Sequence, residues 1–567
     1  MHPAQSHRDA LNKAVQDILQ DTVPSSGRHN HTTLSDSRST IYTLVQQTLQ
    51  QYSRQLNNEA PINNLPAEIF IDILSWTTFD DVVSATHVCQ FWRATALSNA
   101  SLWASMINRH TPFSYLTPSE DFLNRTKDTP LDLNLRIRRP PSVEVLEKHL
   151  RHTRSLTLSV DYDFGGMGTS NNVITLLLYA LRHPAPLLEQ LSLSFEHPAS
   201  RGEFPSIPID LFAGMAPRLH TVTAVGARFP HHPYAAFSNV RKFMFRASRA
   251  LLLGRHEAMP PIDMVKHVTG YDKVKHLIVL QDPLHPAQVL TEPTDLTETC
   301  REMGARLDIL EVSYSSDTLV LLHALRDAPP KLLCIHNADP EFMMNDLIDP
   351  GASIVRLRFG SRGHAQNAIE VTDAHGNARR ATAIMAPENA EDLWDFIPLT
   401  VFATVTSLSM HEHMWPDEQL PAAFALQELK IFIGTHDARA PHLSGIFQLS
   451  PDPKGPWAVP SLQRLTLSSI CWQPPRSLWT RGQRASLRVS ADDIYRFLVD
   501  HLSPSQLQCL ILECISLYDT PDGTATASLR RRVGELTTSG PEGMPEMPDF
   551  YNHVGPYVPT TYYNDFL

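Results

Sequence analysis

The residues of this chain that could do chemistry are few, and none stands in the pattern a reaction needs. His411-Glu412-His413 sets three metal-capable side chains in a row, but zinc ligands come at H-E-x-x-H or paired Cys/His spacings that bring them round one ion. These three fall at the far end of an expected strand and read as surface histidines. His231-His232 follows a Phe-Pro loop with no ligand cluster near it in sequence. Asp163-Phe164-Gly165 matches the kinase triplet, yet no Gly-rich phosphate loop with its Lys and no H-R-D loop accompanies it. Gly165-Gly166-Met167-Gly168 lies between an expected strand and helix, where a phosphate would sit, but fits neither phosphate-binding spacing and reads as a permissive turn. No G-x-S-x-G elbow occurs. Six cysteines (89, 300, 334, 471, 509, 514) form no C-x-x-C pair and no protease signature, so they read as buried thiols of a reducing compartment. Arg530-Arg531-Arg532 reads as a solvated helix face rather than a nuclear signal. No catalytic residue, cofactor or metal ligand is therefore expected.

Composition narrows the partners. Among 567 residues, 48 Lys and Arg face 60 Asp and Glu, a net charge of −12. Phosphate affinity needs clustered positive charge, so no nucleic acid is expected. No apolar run approaches the ~18 residues of a membrane span, and Met1–Gln20 lacks a signal-peptide core. No membrane partner is expected, and the location expected is cytoplasmic and/or nuclear. With 42% hydrophobic and 19% charged residues the chain can bury a core; 44 prolines against 23 glycines imply many element ends.

What the sequence does offer is apolar surface for a partner. Asn63-Asn64-Leu65-Pro66-Ala67-Glu68 is a helix start, with Pro preset for the first turn and Glu near the positive end of the dipole. Ile69, Phe70, Ile73 and Leu74 then share one broad face. Phe79-Asp80-Asp81 opens a second helix carrying Val82, Val83, Val88, Cys89, Phe91 and Trp92, and a third element carries Leu97, Leu102 and Trp103. Three small helices in so short a span cannot bury all of these side chains among themselves, so some must meet another surface.

Leu65-Pro66-Ala67-Glu68-Ile69-Phe70-Ile71-Asp72-Ile73-Leu74 resembles the opening of an F-box. Thr86-His87-Val88-Cys89-Gln90-Phe91-Trp92-Arg93 resembles its second signature, and Ala100-Ser101-Leu102-Trp103 its closing Leu-Trp. Helix, F-box and a long irregular region is also the look of the large F-box families of mushroom-forming fungi. The resemblance implies docking on the S-phase-kinase-associated adaptor of an SCF (cullin–RING) ubiquitin ligase. Leu65, Pro66, Ile69, Phe70, Ile73, Leu74, Val88, Cys89 and Trp92 are the candidate adaptor-binding residues, with Phe91 and Leu102 as alternatives for the inner core.

From Arg154 onward an apolar-x-x-apolar-x-apolar pattern recurs, as in Leu188-x-x-Leu191-x-Leu193 and Leu462-x-x-Leu465-x-Leu467. Its last two apolar positions face one side of a strand. Helical segments lie between copies at Asn172–Arg182, Asp295–Arg306, Asp317–Arg326, Ala390–Leu399 and Ala491–His501. Strand, loop, helix, strand is how a solenoid buries a face that no single unit covers. The pattern resembles leucine-rich repeats, but its central positions (156, 191, 222, 243, 277, 310, 333, 357, 408, 429, 465 and 510) lie 21 to 51 residues apart, against ~20–29 in a regular array. The fold class expected is α/β: a small helical F-box, then an irregular leucine-rich-repeat-like solenoid with parallel strands on its concave face.

The residue between the paired apolar positions should point to solvent and form the substrate face: Ser192, Thr223, Met244, Ile278, Glu311, Arg358, Ser409, Lys430, Thr466 and Ile511. The segments expected are 1–60, a polar arm with an amphipathic helix (Thr40–Gln55, after a flexible link Val23–Ser39); 61–107, the F-box; 108–150, a linker or first cap; 151–518, the repeats, with a hairpin insertion about 361–388; and 519–567, a flexible Pro/Gly/aromatic tail. A homodimeric coiled coil through the N-terminal helix is open, though the stretch is short for one. The functional expectation is a substrate-recruiting adaptor rather than an enzyme, with an unknown protein substrate and, through the adaptor, a cullin as partners. The alternatives are a scaffold outside any ligase and an enzyme whose site assembles from distant residues.

Overall fold

The computed structural model describes residues 3–22, 31–109, 120–137, 143–160, 170–195, 205–246 (less 228 and 230–232), 267–280 (less 269), 296–314, 321–336 in part, 353–384 (less 362–365), 394–433 (less 395–396 and 417–419), 445–447, 455–469, 487–519 (less 505) and 523–539. It divides into two units, one of Met1–Leu135 with His152–Arg154 and one of Arg136–Arg151 with Ser155–Leu567. The first is helical and the second is built on a large, mostly parallel sheet, a solenoid-like α/β arrangement.

The first unit begins with helices α1 (Pro3–Thr22) and α2 (His31–Glu59). α2 starts nine residues before the expected Thr40, within what reads as a link, because no Gly or Pro interrupts His31–Glu59. A 3₁₀ turn, Pro61–Asn64, leads to α3 (Ala67–Ser75), α4 (Phe79–Ala85), α5 (Gln90–Ser98), α6 (Ala100–Arg109) and α7 (Glu120–Arg125). Phe70, Leu74, Val82, Ala96, Leu102, Trp103 and Met106 form one core. Trp103 stacks on Phe122 at 5.6 Å between ring centroids and donates its indole N–H to the Ala96 carbonyl at 2.8 Å. In strand β1 (Leu131–Ile137), Leu131 donates its N–H to the His152 carbonyl at 3.0 Å and Asp132 pairs with Arg154.

The second unit holds α8 (Val143–Leu150), β2 (Thr153–Val160), α9 (Ser170–Ala180), β3 (Gln190–Ser194), β4 (Thr221–Val225), β5 (Lys242–Arg246), β6 (His276–Leu280), α10 (Leu296–Arg306), β7 (Ile309–Ser313) and β8 (Leu332–His336). It continues with β9 (Ile354–Ser361), β10 (Gln366–Asp373), β11 (Ala378–Ile384), α11 (Leu399–Thr404), β12 (Ser407–His411), β13 (Glu428–Ile433), β14 (Trp457–Ala458) and β15 (Arg464–Ser469). Last come β16 (Leu487–Ser490), α12 (Ala491–Asp500), β17 (Leu502–Ser503), β18 (Leu507–Glu513), β19 (Ile515–Tyr518), α13 (Thr524–Arg532) and β20 (Val533–Ser539). From β2 to β8 the strands pair in parallel and in sequence order.

The register carries the repeat. Leu156, Leu191, Val222, Phe243, Leu277, Leu310 and Leu333 lie side by side on successive strands, and Leu357, Leu408, Leu429, Leu465 and Leu510 continue the row. All twelve are buried. A side chain on one strand thus finds its apolar neighbours on the strands before and after it, which is why no single unit could be stable alone.

One stretch departs from sequence order. The sheet reads β8-β11-β10-β9-β12: β10 and β11 form an antiparallel hairpin wedged between β8 and β9. The Asp373 carboxylate closes its turn by accepting the N–H groups of His375 (2.8 Å) and Asn377 (2.9 Å), with Gly376 at φ +86°. The tail differs from expectation as well. Its described residues 523–539 form regular structure: α13 packs on α12, and β20 pairs in parallel with β18. Asp163–Gly168, His231-His232, Cys471, most of Asp317–Arg326 and Ala390–Leu399, and the aromatic stretch from Phe550 lie outside the described residues.

Candidate functional site

In the first unit, the N-terminal entry of each short helix fixes which side chains face out. Pro66 stands at the N-cap of α3 and Glu68 lies in its first turn. Thr78 caps α4 in a reciprocal box: its hydroxyl accepts the Asp81 N–H at 3.3 Å while the Asp81 carboxylate accepts the Thr78 N–H at 3.1 Å. The Thr78 hydroxyl and amide hold the Asp81 carboxyl below its usual range. Asn99 caps α6 by accepting the Leu102 N–H at 2.9 Å. The Trp92 indole donates to the Asn63 side chain at 2.6 Å, tying α5 to the Pro61–Asn64 turn.

These constraints sort the expected docking residues into three groups. Pro66, Ile69, Ile73 and Val88 are exposed, Ile69 by 50% and Val88 by 58%. Leu65, Cys89 and Trp92 are half-buried. Phe70 and Leu74 are core, which corrects the expectation that they face a partner: residues four apart share a helix face, so Phe70 and Leu74 turn inward together while Ile69 and Ile73 turn outward, and Phe70 is used internally against Trp92 at 4.8 Å and Phe91 at 5.8 Å. Leu102 is buried and Phe91 half-buried. Trp76, 77% exposed, and Ile62 join the exposed set. Trp76 follows Ile69 and Ile73 at helical spacing (i, i+4, i+7), so the signal was present in the sequence; Arg109 lies over its ring at 5.5 Å.

In the second unit, the positions between the apolar rows share the other face of the sheet. Ser192, Thr223, Arg358, Ser409, Lys430 and Ile511 are partly exposed, whereas Met244, Ile278, Glu311 and Thr466 are buried, against expectation. The causes are local. Met244 and Ile278 are register partners on adjacent strands. Thr466 lies on the strand that the Lys430–Glu513 ion pair (2.8 Å) spans. Glu311 is enclosed by imidazoles, accepting from His276 Nε2 at 2.7 Å and His336 Nε2 at 3.0 Å.

The charged groups form a belt across β6 to β9. Beyond Glu311 and Cys334, Arg380 donates to Glu370 Oε2 at 2.6 and 3.1 Å, and Arg358 donates to Glu370 Oε1 at 3.1 Å. Burial works to raise the Glu311 pKa, and the hydrogen bonds and charges of the two histidines outweigh it, holding the carboxyl at about 2. Burial pushes the Cys334 thiol up to about 12, so its thiolate form, the nucleophilic one, is suppressed. These buried charges are satisfied by one another within the sheet. His411 and Glu412, expected at the surface, are buried: His411 lies beside Phe432 in the β12–β13 register. Among the described residues no group of three or more His, Cys, Asp or Glu side chains is placed to hold a metal, and no helix is long and apolar enough to cross a membrane.

The F-box-like family model matches residues 62–109, the segment from the Pro61–Asn64 turn through α6. The chain therefore carries an F-box-like domain at residues 62–109. No curated protein matches it.

Proposed function

We propose that the chain is a substrate-recognition subunit of an SCF-type cullin–RING ubiquitin ligase. F-box domains generally bind adaptors of the S-phase-kinase-associated type and belong to adaptors rather than enzymes. The observation that carries the reading is the exposure of Ile69, Ile73 and Trp76 along α3 and of Val88 before α5, apolar side chains left open on a domain whose own core is already filled. Burying such anchors in a partner groove supplies ~2 kcal/mol or more at a hot spot. The adaptor would link the chain to a cullin, and catalysis would belong to other subunits. The second unit would hold a protein substrate on the sheet face bearing Arg358, Lys430 and the Glu370 belt, raising its effective concentration beside the conjugating enzyme. The reading places the protein in the cytoplasm or nucleus.

The test is capture of the adaptor by the full chain. Ile69→Asp is expected to weaken capture by more than tenfold without moving the unfolding transition, because the side chain touches solvent rather than the core. Phe70→Ala is expected to do the reverse, lowering stability by about 3–5 kcal/mol. Undiminished capture by Ile69→Asp and Trp76→Asp together would refute the docking face, and capture of the adaptor without a cullin would point to a scaffold outside the ligase.

A further inference from the structure

The patch on α3 is not the only apolar surface in the first unit. α2 carries Tyr42, Val45, Leu49, Tyr52 and Leu56 at intervals of three, four, three and four residues, the 3.5-residue period of a coiled-coil seam. Every residue from Tyr42 to Leu56 is exposed, and the five seam side chains are open by 37 to 65%. α1 touches α2 and leaves this stripe uncovered. A helix rich in Gln, Ser and Thr is marginal in water by itself, and most helical stability in proteins comes from burying an apolar face. Four turns of α2 lack that burial.

Shape and charge both indicate the occupant. The seam borders an open groove of about 710 Å³ that runs from Tyr42 to Asn57 and reaches Gln90 at the start of α5. The groove follows about 15 residues of helix, or ~22 Å, which suits another helix lying alongside. From Ser39 to Ser53 α2 has no charged residue at all. The seam is flanked by Ile41, Thr48 and Gln55 on one side and by Gln46 and Ser53 on the other, so these flanking positions neither repel an identical copy nor offer an ion pair to a charged one, and Arg54 is the charged residue that lines the groove. We propose that α2 pairs with the α2 of a second copy of this chain, making the protein a homodimer through a short coiled coil. This inference does not depend on the ubiquitin-ligase reading. If that reading also holds, the dimer presents two docking patches and two recognition sheets in one assembly, and bivalent engagement follows.

The experiment uses the full chain. Copies with two different tags are co-expressed, one tag is captured, and the mass of the purified protein is measured by light scattering during size-exclusion chromatography. Expected are co-capture of the second tag and a mass twice the 63.6 kDa of one chain. The double substitution Leu49→Glu and Tyr52→Glu is expected to return the mass to a single chain and to lose no more helical circular dichroism signal than α2 contributes, because both side chains are exposed and outside the core. A wild-type protein of single-chain mass overturns the proposal, as does a dimer that survives the double substitution. Loss of adaptor capture in the variant, with a wild type of single-chain mass, would assign the stripe to the adaptor instead.

Discussion

Glu311 shows what one buried carboxylate does when two imidazoles reach it from the neighbouring strands. Water is nearly excluded, and the side chain stays ionised because His276 and His336 each give it a hydrogen bond. Its carboxyl, ordinarily near 4.5, is held at about 2. A carboxylate depressed in the folded state lends stability that is complete above its unfolded value and is lost as pH falls through the folded one. The unfolding temperature is therefore expected to decline as pH is lowered from about 4.5 to about 2, and Glu311→Gln should flatten that part of the curve. At neutral pH the same substitution is expected to cost about 1.5–3 kcal/mol, the worth of a hydrogen bond to a charged group. Unfolding followed by circular dichroism across this range measures both effects, and parallel curves for the two proteins would show that the carboxylate is not held. Phe70 teaches the complementary point. Its type and spacing matched Ile69 next to it, and only the packing of α5 against α3 separates the inward ring from the outward aliphatic chain.

At the scale of elements, the strands were legible, and the place of the hairpin among them was not. Each strand of the row from Leu156 to Leu510 announces itself by two apolar positions two residues apart, and nearest-neighbour stacking then follows from the chain. Leu536 on β20 joins the row beside Leu510, yet its segment lacks the apolar triplet and reads as tail. The hairpin of β10 and β11 was visible from its turn residues, but its place in the sheet was not, because insertion between β8 and β9 is decided by partners distant in sequence. Arg379 lies in register with Leu333 and Val371, in the row that is otherwise apolar, so no periodicity could have marked it. The ion pairs that hold the hairpin in place are equally non-local: Glu370 on β10 binds Arg380 on β11 and Arg358 on β9. Breaking a buried pair leaves a charge poorly compensated and costs about 3–5 kcal/mol. Arg380→Ala is expected near the lower end of that range, since Arg358 still reaches Glu370. Chemical denaturation of the purified chain measures it, and a loss below about 1 kcal/mol, the worth of an exposed pair, would mean that the hairpin is held by its backbone ladder alone.

At the scale of the whole molecule, an open parallel sheet must finish somewhere, and an unfinished edge is a template for aggregation. Here the last strand among the described residues is a poor template. β20 pairs with β18 on one side, and of its seven residues only Val533 is buried; Glu535, Thr537, Thr538 and Ser539 are exposed. The preceding helix α13 completes the closure by packing Leu529 and Ala525 into the interior beside α12. Ending the chain after Asp519 would remove both. β18 would then be the edge, with Leu507, Leu510 and Leu512 stripped of a neighbour and its backbone N–H and C=O groups on that side unpaired. Each fully buried apolar side chain contributes about 1.5–3 kcal/mol, so losing Leu529 and Val533 alone removes a large share of the 5–15 kcal/mol that folded domains typically possess. The truncated chain is expected to unfold at lower temperature and to aggregate on concentration, as read by scanning calorimetry and light scattering. Leu529→Ala, which keeps β20 and loosens only the helix beneath it, should lower the transition by a smaller amount without the aggregation. If the two variants behaved alike, the edge strand would contribute nothing beyond its helix, and protection of the sheet would have to come from elsewhere in the chain.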